Sequence, residues 1–405
     1  MTNAIVLTVF RQLLSLLLQI VIVILTAKWL VPSDFGELGL LMTYTLFVSI
    51  IAIFGLNSSI LYYLSKGDIS LNDTFKCIDI FFYLTILFVL LVGVILFFIG
   101  FEHSKLLLAV ITGFSSSYVL LLMSVLQAKE RFSSLNIVIL IQPIVFLSLL
   151  CITFLNGEGD VLLWEVEIAF FLSYFSSMLI SNLYVKKSLS IRSVPFYIHE
   201  IKKSALIIKQ IFNYGAYSCV TNIITIINYR FQFLAVSMYI GGEVAGQYNL
   251  AFQLIDKMGV ISSSFVLVLL PVLTKQAKAI RMKNTIKYSR VIFLITSIIT
   301  GVIYLVGGEL VVYVFGAVYT EAFNIVKWLL PSFCFLSVIR ILSGHFSASG
   351  KQHVNFWISL IFLVVNIMLC LLLMPQFEGY GAAMSYSIST FVVMIVYCHK
   401  IYKEH

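Results

Sequence analysis

The sequence predicts an all-α polytopic membrane protein of about twelve transmembrane helices, arranged as two pseudo-symmetric six-helix lobes. Three observations predict it. Hydrophobic residues make up 61% of the 405 and charged residues only 11%, whereas a soluble domain carries roughly 25% charge; mean hydropathy is +1.05. Apolar runs of about 20 residues recur along the whole chain, each long enough to cross a ~30 Å hydrocarbon core as a helix. Basic residues collect on alternate connections, as the positive-inside rule requires. The alternating ~10-residue segments of a β-barrel are missing.

The spans read as residues 4–30, 38–64, 78–100, 106–127, 135–155 and 164–185, then 213–239, 246–273, 288–307, 322–347, 354–374 and 381–401. The first opens with Arg11 before an apolar run from Leu13 to Leu25. A secretory signal looks similar, but Leu25-Thr26-Ala27 is a poor cleavage sequence and the run continues through Trp29, so it reads as a retained span. Between the spans, one side holds Lys66, Lys76, Lys129, Arg131, the basic residues from Lys186 to Lys209 and from Lys275 to Arg290, Lys351, Lys400 and Lys403. These are nineteen of the 26 basic residues. The other side has Lys28 and Lys105, with Asp34, Glu37, Glu102, Glu158, Asp160, Glu309 and Glu378 among its acids. That asymmetry places both termini in the cytoplasm. It also reads the net charge of +8 as topology and not as nucleic-acid binding.

The longest connection divides the chain into an N-terminal lobe (1–190), a basic linker (191–209) and a C-terminal lobe (210–405). Residues 199–212 put Ile201, Ala205, Ile208 and Phe212 on one helical face. That pattern fits an interfacial helix or an early start to the seventh span equally well. The lobes echo one another. Asp34-Phe35-Gly36-Glu37-Leu38-Gly39-Leu40 and Val244-Ala245-Gly246-Gln247-Tyr248-Asn249-Leu250 follow spans one and seven at an offset of 210. Ala128-Lys129-Glu130-Arg131 and Ala348-Ser349-Gly350-Lys351 occupy equivalent turns on the other side. Six spans per lobe make this a parallel repeat, an arrangement that transporters use.

Several classes are excluded. The six cysteines have no CxxC pairing, so neither a disulfide framework nor a metal site is expected. Ser349-Gly350-Lys351-Gln352 lacks the flanking residues of a phosphate loop, which argues against an ATP-driven pump. The outer connections are short and hold His103 alone, unlike a membrane polymerase or acyltransferase, so no enzyme activity is expected.

Five turns and segments carry a family resemblance: Val31-Pro32-Ser33-Asp34-Phe35-Gly36-Glu37-Leu38, Phe54-Gly55-Leu56-Asn57, Gly246-Gln247-Tyr248, Tyr313-Val314-Phe315-Gly316-Ala317-Val318-Tyr319 and Gly379-Tyr380-Gly381-Ala382-Ala383. In this order they resemble the O-antigen and capsular polysaccharide flippases of the multidrug, oligosaccharidyl-lipid and polysaccharide exporter superfamily. Pro32-Ser33 departs from that family's usual Gly-Pro pair. The resemblance implies two lobes around a central cavity and the flipping of an undecaprenyl-diphosphate-linked oligosaccharide to the periplasmic leaflet by alternating access. Its implied partners are that lipid-linked sugar, membrane lipids and other polysaccharide-assembly membrane proteins. No cofactor is implied beyond coupling to a proton or sodium gradient.

Charged residues within the spans mark where such a cargo would be handled, because a charge at mid-bilayer costs roughly 2.5–3.5 kcal/mol on insertion scales. Arg230 lies 11 residues before Gly241, about 16 Å from that helix end. Asp256, Lys257 and Arg340 are similarly deep, and Arg11 lies nearer the cytoplasmic end of its span. Guanidinium groups bind phosphate oxygens in pairs, so Arg11, Arg230, Lys257 and Arg340 are the candidate diphosphate and sugar ligands. Asp256 is the candidate charge partner or coupling residue. Arg11 fits snorkelling to headgroups equally well. Asn57, Gln142, Asn222, Asn228, Gln232 and Asn366 either line a sugar path or, taken singly, bond neighbouring helices. A multidrug cation antiporter of the same superfamily is the nearest rival, but three basic positions beside one acid favour an anionic cargo.

Overall fold

The computed structural model describes residues 2–99, 104–156, 161–190, 201–260, 276–349 and 351–403, together with 262, 263, 265, 266, 269 and 273. At 2–13, 85, 86, 88–99, 201–218, 221 and 352 only the backbone is described. Every regular element among these residues is helical. Hydrocarbon offers backbone N–H and carbonyl groups no partner, so a spanning segment must satisfy them within its own helix.

The helices are α1 (Thr2–Trp29), α2 (Pro32–Ile53), α3 (Leu56–Lys66), α4 (Leu71–Ile99), α5 (Ser104–Ala128), α6 (Phe132–Asn156) and α7 (Leu163–Ser188). They continue as α8 (Ile201–Tyr239), α9 (Gly242–Met258), α10 (Lys278–Phe315), α11 (Thr320–Ala348) and α12 (Gln352–Lys403). Seven stretches among the described residues are long and apolar enough to cross a membrane by themselves. The chain is therefore an all-α polytopic membrane protein. It forms two compact units, Met1–Ile22 with Leu40–Ile223, and Val23–Gly39 with Ile224–His405.

Three details refine the span reading. The second span is two helices, parted where Phe54 (φ 45°) and Gly55 (φ 69°) both turn left-handed. The eleventh and twelfth spans are the limbs of α12, which bends at Glu378 (φ 49°, ψ −129°). Residues 201–239 form one continuous helix of 39 residues, so no separate interfacial helix precedes the seventh span.

In the first unit, α3, α4, α5 and α7 enclose Ile60, Ile78, Leu121, Leu122, Val125 and Val185, each almost fully buried. Lipid tails are as apolar as leucine, so burial of this kind gives little drive for helices to associate, and close packing decides. Accordingly α2 meets α5 through small residues. A Cβ on Gly113 would come within 2.7 Å of the Val48 side chain, and Ser49 Oγ lies 3.4 Å from Ser116 Oγ.

The second unit has a tighter seam, where the turn into α2 packs on the start of α9. A Cβ on Gly246 would fall 1.7 Å from the Pro32 carbonyl oxygen, and one on Gly36 would fall 2.7 Å from that of Gly242. Asn249 Nδ2 donates to the Phe35 carbonyl at 3.2 Å. Gln247 braces the same region, donating to the Val318 carbonyl at 2.7 Å and accepting from the Ala322 N–H at 3.0 Å. The Tyr319 hydroxyl donates to the Leu30 carbonyl at 3.4 Å, and its ring meets Phe35 edge-on at 6.1 Å.

Substituting Gly246→Ala should force backbone apart from backbone. We expect a loss of about 1–3 kcal/mol, read as a lower thermal unfolding midpoint of the purified protein. Gly301→Ala on α10, where a Cβ meets nothing within 4 Å, should leave the midpoint unchanged or raise it slightly. Equal midpoints for the two variants would show that the seam does not constrain the fold.

Candidate functional site

Four of the five charged residues picked out by depth lie in the second unit, on α8, α9 and α11. Arg11 sits on α1, and its side chain lies outside the described residues. The face of α8 that carries Asn228 and Gln232, four residues apart, is bonded to α12. Asn228 Nδ2 donates to the Ser359 carbonyl at 3.1 Å, Asn366 Nδ2 donates to the Asn228 carbonyl at 3.3 Å, and Gln232 Nε2 donates to Asn366 Oδ1. All three amides are at least 96% buried. They act as interhelical hydrogen bonds. Gln142 does the same in the first unit, donating to Ser173 Oγ at 3.1 Å. Asn57 and Asn222 are half-buried.

Arg230 lies on another side of α8. Its guanidinium carbon sits 5.2 Å from the Tyr229 ring centre and 5.7 Å from that of Phe252. Aromatic faces attract a cation, by roughly 2 kcal/mol or more where water is excluded. The Arg230 Nε is buried and has no hydrogen-bond partner. Phe252 fixes this arrangement, meeting Tyr229 edge-on at 4.7 Å and Tyr386 at 5.9 Å.

One turn beyond Phe252 on α9, Asp256 comes close to Tyr229 and pairs with Lys257 Nζ at 3.9 Å. Neighbouring helical residues point about 100° apart, so the lysine reaches back along the helix to make this pair. Arg230 is also close enough for its charge to act on Lys257. The expected Arg230–Asp256 ion pair is not formed among the described residues.

Arg340 approaches from α11. Its Nη1 donates to the Gly259 carbonyl and to Ser262 Oγ, the latter at 2.7 Å. That carbonyl also accepts the Ser263 N–H at 3.1 Å and both serine hydroxyls at 3.0 Å. Here α9 ends, and a Cβ at 259 would crowd the Asp256 carbonyl oxygen and Arg340 Nη1, each 2.9 Å away. Tyr229, Phe252, Asp256, Gly259, Arg340 and Tyr386 line one hollow of about 20 Å³, room for roughly one water molecule. Depth along the spans located the charges. It missed Tyr229, Phe252, Gly259 and Ser262, although Phe252 could have been found at helical spacing four residues before Asp256.

Chemically, the arrangement offers two basic groups with different freedom. Arg340 binds acceptors supplied by the chain, while Arg230 keeps a buried donor open. No group of three metal-ligating side chains occurs among the described residues.

A many-span helical chain with charged side chains gathered among its spans is built as a membrane transporter. Solved structures share the fold. A lipid II flippase, MurJ, in an inward closed conformation superposes with a TM-score of 0.73 over 98% of this chain and 87% of that one, at 16% identity. An inward-facing multidrug resistance transporter of the MATE family and MOP superfamily gives 0.71 over 98% of both chains, at 13% identity. Residues 1–277 match the polysaccharide biosynthesis protein family, and the chain belongs to that family. A Shigella flexneri protein described as "Putative O-antigen transporter" is 29% identical over 217 residues. That match covers 52% of this chain and half (50%) of the relative's length. The relatives are transporters and flippases, not enzymes.

If Arg340 and Gly259 share one contact, their substitutions should not add. Gly259→Ala and Arg340→Gln should each lower the unfolding midpoint, and the double variant should cost about as much as the worse single one. Additive losses in a double-mutant cycle would separate the two residues.

Proposed function

We propose that this protein is a flippase. It moves an undecaprenyl-diphosphate-linked oligosaccharide, of the O-antigen or capsule repeat type, between leaflets of a bacterial inner membrane, with both termini cytoplasmic. Transport is by alternating access of two six-helix lobes, residues 1–190 and 210–405. Family membership, the description of the Shigella relative and the flippase among the structural neighbours all support this reading. The observation that carries it is Arg230. A guanidinium held on two aromatic faces, with a buried donor unanswered, is a site prepared for an anionic oxygen.

In this reading Arg230 and Lys257 take the diphosphate, and charge-assisted hydrogen bonds to phosphate oxygens replace the water it loses. Asp256 tempers the positive field when no cargo is bound, and it is the residue through which a proton or sodium gradient would act. Arg340 contributes charge from its fixed position, and Arg11 meets the headgroup nearer the cytoplasm. A cation antiporter needs a binding acid without competing cations, whereas here Asp256 stands beside Lys257.

Deleting the gene should make lipid-linked sugar accumulate on the cytoplasmic leaflet. Complementation with Arg230→Ala should cut translocation about ten- to hundredfold, the loss of one charge-assisted contact, at unchanged membrane abundance. Arg230→Lys should keep part of the activity. Normal surface polysaccharide in the Arg230→Ala strain would remove Arg230 from the path. Efflux of cationic dye by the wild type, without an effect on lipid-linked sugar, would transfer the protein to the antiporters.

A further inference from the structure

A groove of about 400 Å³ opens among α10, α11 and α12, at the end of α10 where the basic residues lie. This volume falls within the roughly 300–1,000 Å³ of small-ligand sites. Its floor is Val338 and Leu342 of α11 and Ile401 of α12, all buried. Met282, Ile286 and Phe293 of α10 form one wall.

Two features of its rim are chemical. Ser289 is 8% exposed, and its hydroxyl has no hydrogen-bond partner. Thr285 and Thr296 on the same helix each donate to the carbonyl four residues back, at 2.8 Å. Ser289 therefore leaves open a donor that its helix satisfies elsewhere. Arg290 stands at the lip, and Lys283, Lys287 and Arg290 follow one another at four- and three-residue spacing along one helical face. All three are exposed. An adjoining hollow shares Met282, Ile286 and Arg290 with the groove and includes both lysines, so the basic face and the apolar groove are continuous.

We propose that this groove binds a glycerophospholipid with an anionic headgroup. Its phosphate is held by Arg290, Lys287 and Lys283, a glycerol or ester oxygen accepts from Ser289, and an acyl chain lies on Val338, Leu342 and Ile401. Three cations in line above an apolar slot match a lipid that is charged at one end and greasy along its length. Basic pockets at the mouth of helix clefts recognise anionic lipid in this way. The site lies apart from Arg230 and Asp256 and does not depend on the transport reading.

Cys398, which is exposed and lines the groove, reports occupancy in the wild-type protein. In a neutral detergent, phosphatidylglycerol should slow alkylation of Cys398 by N-ethylmaleimide, followed by peptide mass spectrometry. Phosphatidylcholine at equal concentration should give much weaker protection, and glycerol 3-phosphate none. Removing Lys283, Lys287 and Arg290 charges one at a time (each →Gln) should erode the preference by about fivefold per charge. Ile286→Trp, which fills the groove, should abolish protection while leaving the basic face intact. Equal protection by both phospholipids overturns the proposal and needs no variant. So does protection by glycerol 3-phosphate, a preference that survives loss of all three charges, or protection without added lipid, which would point to a second copy of this chain.

Discussion

Hydrocarbon gives a polar group no partner, so each carbonyl, amide and charged side chain within the spans has to be answered from inside the chain. The second unit meets part of this demand with specific pairs, while Asn228 Oδ1, Gln232 Oε1, Tyr248 Oη and Ser289 Oγ have no partner. Asn228, Gln232 and Asn366 answer one another across α8 and α12. The Gly259 carbonyl accepts the Ser263 N–H and also takes bonds from two serine hydroxyls and an arginine. Asp256 has Lys257. Among the groups left unanswered, Arg230 Nε belongs to a cation set against two aromatic rings. The ring faces of Tyr229 and Phe252 stabilise its charge without accepting its hydrogen bonds, so the cation is held in place and its donor remains available.

The same solvent changes what holds helices together. With lipid on both sides of the comparison, apolar burial distinguishes poorly between correct and incorrect partners, and contact distance takes over. The seam between the turn into α2 and the start of α9 follows this rule. Gly36 and Gly246 let backbone approach backbone, and Asn249 crosses to the Phe35 carbonyl. These are the residues that the internal repeat aligns at an offset of 210. The two copies of the turn are thus packed on each other, Gly36 beside Gly246 and Gly39 beside Asn249. Their resemblance in sequence is matched by a shared steric requirement for close approach.

Much of the fold was legible because membrane spans are written in composition. A run of about 20 apolar residues has one stable form in lipid, so helix positions and the charge alternation between them could be read directly. The breaks within helices were harder. Phe54-Gly55 looks like uninterrupted apolar sequence, yet both residues turn left-handed. The basic face at 201–212 carries the signature of a surface helix, but the chain continues without a break into the seventh span. The charges of the candidate site were found by depth alone. Their partners were not, because Arg340 bonds Gly259 from 81 residues away and Phe252 contacts Tyr229 from another helix. Periodicity carries no information about such separations.

The division of labour among the basic residues follows from geometry more than from charge. Arg340 and Arg230 are the same residue type at similar depth, and sequence alone treats them alike. One has its fork laid close against Gly259 at the end of α9, where a carbonyl and a hydroxyl orient it. Such an arginine fixes α9 to α11, and a diphosphate could recruit it only by competing with bonds already made. The other has ring faces for neighbours, which stabilise a cation without fixing the direction of its N–H groups. A group that must bind and then release a phosphate at each cycle has to be poised in the second way, since bonds made too well on either side would stop turnover. In the proposed mechanism Arg340 sets the shape in which Asp256 and Lys257 are presented, and Arg230 is the residue assigned to the cargo.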